Sequence, residues 1–199
     1  MSKNEKPKKA DDQITRTKKA FKKIKKIEIE LADGEFKNLE YFLRWSGKQA
    51  WNYALEWAAF YGRLDLVKKV IATGADPNAS SCASLQMACR NGHLEIVKYL
   101  VESGMFNNLP GINVLLEVVE NRHLVIAEYL LSNDNIFGTN LCDVHCDYDC
   151  ALRVAVQMNY VEMVALLIKY GADVNVFDGY LLDHATKFGY SEIAGLLSH

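Results

Sequence analysis

Three cysteines at intervals of four, Cys142, Cys146 and Cys150, share the stretch NLCDVHCDYDC with His145 and with Asp143, Asp147 and Asp149. Thiolate and imidazole are the donors that tetrahedral zinc prefers, so the first chemistry to weigh here is a metal centre. The spacing speaks against it. Structural zinc sites set close ligand pairs across a longer span, whereas all four candidates, Cys142, His145, Cys146 and Cys150, crowd within nine residues. The aspartates read more simply as a solvated acidic loop, with Asp149 favoured near a helix N-terminus, and the stretch as an insertion looped out between regular elements. No metal or other cofactor is expected. Nor does the chain hold a glycine-rich phosphate loop, a nucleophile elbow or a paired-histidine zinc helix, and it is not expected to be an enzyme.

The regular elements on either side recur. Ala54 to Ala79 reads ALEWAAFYGRLDLVKKVIATGADPNA and Ser84 to Asn108 reads SLQMACRNGHLEIVKYLVESGMFNN, at an offset of thirty residues. A third copy opens at Val114, a fourth at Ala151 and a fifth at Leu181. The offset is thirty throughout except between the third and fourth, where it is thirty-seven, and the seven extra residues are expected inside the cysteine-bearing stretch. A fixed period of this length signals a stacked array, and it governs the reading of everything else.

Each copy begins with a short apolar segment, turns at a glycine or polar residue, and continues with apolar residues spaced three and four apart, as Leu94, Ile96, Val97, Leu100 and Val101 are. That spacing predicts two short antiparallel helices. Alanine at Ala58, Ala88, Ala155 and Ala185 suits places where neighbouring helices come close. Gly74, Gly104 and Gly171 sit just past the second helix, where a C-terminal cap calls for positive φ. One helix pair of this size cannot cover its own apolar faces, so the copies must bury them on one another. The expected fold class is an all-α solenoid of about five helix pairs.

These units resemble the ankyrin repeat. The segments that carry the resemblance are GADPN (Gly74 to Asn78), GADVN (Gly171 to Asn175), NGHLEIVKYL (Asn91 to Leu100) and AAFYGRLDLV (Ala58 to Val67). Against the family's usual 33 residues the units are short, which implies trimmed β-hairpin fingers. The Thr-Pro-Leu-His opening is replaced by Ala83, Ser84, Leu85 and Gln86 in the second copy. Short units of this style are similar to the arrays of giant DNA viruses of amoebae. The resemblance divides the chain into a basic arm at 1–26, an N-terminal helical cap at 27–53, and repeats at about 54–83, 84–113, 114–150, 151–180 and 181–199. In the cap, EFKNLEYFLRWSG is similar to the second helix of a worn repeat ending at Gly47, and Trp45, Trp51 and Trp57 are expected to close the first end of the core.

The family implies a protein partner, held on a concave face by the two residues before each turn glycine. Here those are Phe60 and Tyr61, Arg90 and Asn91, Glu120 and Asn121, Gln157 and Met158, and Lys187 and Phe188, with Arg122 and Asn159 standing where the third and fourth copies lack the glycine. Phe60, Tyr61 and Arg90 are the residue types most enriched in binding hot spots. The family also implies a structural role for His93 and His123, whose rings would hydrogen-bond the neighbouring loop. The viral similarity implies a host factor as the partner.

The net charge of -2 conceals an asymmetry: residues 1–26 carry eleven Lys or Arg against three acids, and the remainder twelve against twenty-two. Lys8 and Lys9, followed by Lys22, Lys23, Lys25 and Lys26, admit three readings: a two-part nuclear import signal, a sequence-independent contact to nucleic acid phosphates, or a solvated arm. The chain lacks an apolar run of the roughly 18 residues a membrane span needs, and its charged opening residues lack the apolar segment expected of a secretory signal. It is expected in the cytoplasm or nucleus, as a monomer. Five cysteines, an odd number at irregular spacing, predict buried or free thiols more than a disulfide framework.

Overall fold

The computed structural model describes residues 39–103, 114–137 and 142–198. The basic arm and Gly104 lie outside the described residues. Within them the chain forms ten helices and no strand: α1 (Leu39–Phe60), α2 (Leu64–Ala72), α3 (Ala79–Arg90), α4 (Leu94–Glu102), α5 (Val114–Glu120), α6 (Leu124–Phe137), α7 (Cys146–Gln157), α8 (Val161–Lys169), α9 (Tyr180–Phe188) and α10 (Ser191–Leu197). The odd-numbered helices stack on one another in order as one layer and the even-numbered ones as a second, and among the described residues the principal helix contacts run within a repeat or between neighbouring repeats. The architecture is the expected all-α solenoid.

The core repeats as the sequence does. Leu55, Leu85, Leu115 and Leu152 are buried at one position of the first-helix layer, and Val67, Val97, Ala127 and Val164 at one position of the second. Removing such a leucine from water contributes roughly 1.5–3 kcal/mol. Ala58, Ala88, Ala155 and Ala185 have no exposed surface, with Val118 at the same place in the third copy. Their small size sets how closely the first helices approach.

The turn between the two helices of each repeat is built identically five times. The backbone N–H of Arg63, His93, His123, Tyr160 and Tyr190 donates to the carbonyl five residues earlier, at Ala58, Ala88, Val118, Ala155 and Ala185, over 2.8 to 3.0 Å. The residue just before is left-handed in every copy: Gly62 (φ 74°), Gly92 (77°), Arg122 (62°), Asn159 (52°) and Gly189 (73°). The third and fourth copies thus keep the turn without its glycine. The second helices close as their sequence predicts, Gly74 at φ 109° and Gly171 at φ 98°.

Two expectations are corrected. Helix α1 runs unbroken through Gly47 into the first repeat, so no cap ends a helix there. One interior glycine costs only about 1 kcal/mol, and the helix-favouring Lys48, Gln49, Ala50 and Ala54 that follow carry the helix on. The seven extra residues are also not in the cysteine stretch. Asp143 lies eight residues before Ala151, as Asp76 lies before Ser84 and Asp173 before Leu181, and each aspartate accepts the N–H two residues on, from His145, Asn78 and Asn175, at 2.9 Å. The stretch is therefore the third finger, and the insertion falls upstream of Cys142, where α6 extends to 14 residues against nine in α2, α4 and α8.

No finger among the described residues forms a hairpin. Each aspartate turn leads into three consecutive left-handed residues: Ser80, Ser81 and Cys82, then Asp147, Tyr148 and Asp149, then Phe177, Asp178 and Gly179. Only the last triplet contains a glycine, and left-handed backbone costs roughly 1–2 kcal/mol for each residue with a Cβ.

Candidate partner-binding surface

The repeated turn puts the ten expected contact residues in one row along the ends of the first helices. Phe60, Tyr61, Arg90, Glu120, Asn121, Gln157, Lys187 and Phe188 are exposed, and Asn91 and Met158 half-buried. Neighbouring repeats hold the row's backbone in place. His93 Nε2 donates to the Phe60 carbonyl at 2.9 Å, and His123 Nε2 to that of Arg90 at 3.0 Å, which is the structural role expected of both rings. Farther along, the Tyr160 hydroxyl donates to the Arg122 carbonyl at 3.3 Å, and Arg122 Nη2 to that of Met158 at 2.8 Å.

The row is not uniform in chemistry. At its first end Phe60 and Tyr61 pack on each other and on Trp57, with ring centroids 5.0 to 5.7 Å apart, yet each stays more than a third exposed. Trp51 and Trp57 are half-buried against the core, as expected of residues that close its end. At the far end Tyr180, His184, Phe188 and Tyr190 form a second aromatic group, with Lys187 over the Phe188 ring. Between them the row is polar but for Met158, and the side chains of Arg90, Asn91 and Asn121 are committed to internal bonds. Arg90 forks onto Glu117 of the next repeat through two bonds of 2.9 Å, and the carboxylate raises the guanidinium pKa above its ordinary value. The Asn91 and Asn121 amides cap their own helices, donating to the Met87 and Glu117 carbonyls at 2.8 Å.

The cysteine-bearing finger proves to be a joint. His145 Nδ1 donates to Asp149 Oδ1 at 3.1 Å, and the same oxygen accepts the Asp173 N–H at 3.0 Å. Asn52 does this for Asp76 at 2.8 Å, one position of the repeat used twice. Asp149 is buried, which corrects its reading as a solvated acid; binding the next finger requires it to face inward. Cys142 is buried, Cys146 and Cys150 are half-buried, and among the described residues no three His, Cys, Asp or Glu side chains converge as metal ligands. Of the other thiols, burial pushes Cys82 up to about 11 and Cys89 higher still, away from nucleophilic chemistry.

Sequence reasoning missed Glu117, the partner of Arg90, and the exposed rings of Tyr148 and Phe177 on adjacent fingers, whose centroids lie 5.7 Å apart. An aromatic residue at a turn between an aspartate and a helix start was the available signal. The basic-arm lysines Lys8, Lys9, Lys22, Lys23, Lys25 and Lys26 lie outside the described residues. Among those described, no helix is long and apolar enough to cross a membrane.

A family model for ankyrin repeats, comprising three copies, matches the sequence in four overlapping windows, residues 32–110, 55–141, 85–178 and 115–199. No curated protein matches the chain.

Proposed function

The chain belongs to the ankyrin-repeat family, whose members are generally protein–protein interaction modules, and from that premise we propose that it is a non-enzymatic, monomeric module holding a protein partner along the row of turn residues. The observation that carries this is the exposure of Phe60 and Tyr61, two large rings left at the surface while Trp57 beside them packs on the core. Aromatic anchors of this kind supply most of the energy at typical interfaces. Arg90 joins them less freely than its type suggests, because a partner's carboxylate would have to compete with Glu117. The short units extend the proposal to a host protein as the partner, on their resemblance to giant-virus arrays.

Affinity capture from a host-cell lysate with the intact chain and with a Phe60→Ala, Tyr61→Ala variant of unchanged circular dichroism is the test. A protein held by the first and lost by the second supports the reading. Capture that survives the variant overturns it. The charge contrast between residues 1–26 and the rest favours a second reading, an adaptor whose basic arm binds nucleic acid or directs nuclear entry. Deleting 1–26 would then abolish nucleic acid binding or nuclear accumulation and leave partner capture intact.

A further inference from the structure

Phe177 and Tyr148 are large side chains on left-handed backbone, at φ 55° and 56°, and both rings face solvent. Neither position gains burial in return for the strain. Phe177 already bears a cation, the Arg153 guanidinium 5.3 Å from its centroid, and Arg153 Nη2 is fixed by the Asp147 carbonyl at 3.0 Å. The next two rings bear no described Lys or Arg: Tyr148 is 73% exposed, and Tyr180, which packs on the His184 ring at 5.9 Å, is 46% exposed. Beside them in the chain stand Asp147, Asp178 and Asp183, all exposed, whose carboxylates form no ion pair with a described cation. Asp147 adjoins Tyr148 in the third finger, Asp178 adjoins Phe177 in the fourth, and Asp183 lies one helical turn beyond Tyr180 on α9.

We propose that the tips of the third and fourth fingers, with the start of α9, receive a lysine- or arginine-rich peptide segment of a partner protein. The open faces of Tyr148 and Tyr180 take cationic side chains, and Asp147, Asp178 and Asp183 neutralise them. Ring faces attract ammonium and guanidinium groups through their quadrupole, and a carboxylate at the rim adds a charge-assisted bond without requiring burial of either charge. The excess of acid over base in residues 27–199 draws such a segment toward the array from a distance. This rests on the reading of the chain as a protein-binding module and names the partner's chemistry at the end of the array opposite Phe60 and Tyr61.

Fluorescence anisotropy of the full chain with a labelled nona-arginine peptide, and with a nona-glutamate control, tests it. The arginine peptide is expected to bind and the glutamate peptide not. Tyr148→Ala with Tyr180→Ala should weaken binding about tenfold or more, while Tyr148→Phe with Tyr180→Phe, which keeps the ring faces, stays within about twofold. Asp147→Asn with Asp178→Asn should weaken it several-fold, and Glu162→Gln with Glu192→Gln on the second-helix layer should leave it unchanged. Equal loss from the last pair, or none from the alanine pair at an unchanged melting midpoint, overturns the proposal in favour of diffuse attraction. The Phe60→Ala, Tyr61→Ala variant should bind the peptide normally, so failure at one end of the array is read apart from failure at the other.

Discussion

The junctions at the two ends of the array solve the same turn differently. In repeats one and two the left-handed residue is glycine and the following repeat presents histidine; in repeats three and four it is Arg122 or Asn159 and the following repeat presents Tyr160 or Tyr190. A Cβ on Gly62 would lie 2.7 Å from the His93 ring, and one on Gly92 2.6 Å from the His123 ring. Glycine is needed there twice over, for its φ and for the ring beside it. Tyr160 reaches farther, to the carbonyl of the left-handed Arg122 itself, and the Arg122 guanidinium lies 5.0 Å from the Tyr160 centroid. The two positions are therefore coupled across repeats: histidine enforces glycine, and tyrosine releases it.

The largest expected effect comes from breaking that coupling on the glycine side. Gly62→Ala meets both the left-handed penalty and the His93 ring and should cost roughly 2–4 kcal/mol, read from urea unfolding. A loss near 1 kcal/mol would mean the ring moves aside and only φ matters. Next is His93→Ala, which removes the bond to the Phe60 carbonyl and should cost about 1 kcal/mol alone. Placed on Gly62→Ala, it should cost less than that or restore stability, a coupling that a double-mutant cycle measures directly. The smallest is Asn159→Gly. Facing tyrosine, it relieves only backbone strain and should gain at most about 1 kcal/mol, partly offset by glycine's freedom in the unfolded chain. A loss of stability there would show that the Asn159 side chain supports the turn.

How much of this was legible follows from where each interaction begins. The period of thirty, the buried alanines and the positive φ of Gly74 and Gly171 are local or repeated facts, so the fold and the row of turn residues could be read in advance. The fork between Arg90 and Glu117 joins residues 27 apart that meet only once α3 and α5 stack, and no pattern in either helix announces it. The cysteine finger was misread because CDVH differs in letters from ADPN, although its distance to the next helix was the same. Tyr148 and Phe177 were passed over because aromatic residues are not expected on left-handed backbone, and strain of that kind is visible only in the folded chain.

That constant distance carries a last consequence. From finger aspartate to the matching position of the following repeat, Ser84, Ala151 or Leu181, the interval is eight residues at Asp76, Asp143 and Asp173, whereas from the second helix to the finger it changes by seven. The segment of constant length is therefore a finger with the start of the helix pair after it, and the one change of length lies ahead of the aspartate. Lengthening the array at the bench calls for a cut before Cys142 or Ala172, so that each inserted piece arrives with its own aspartate turn already in register.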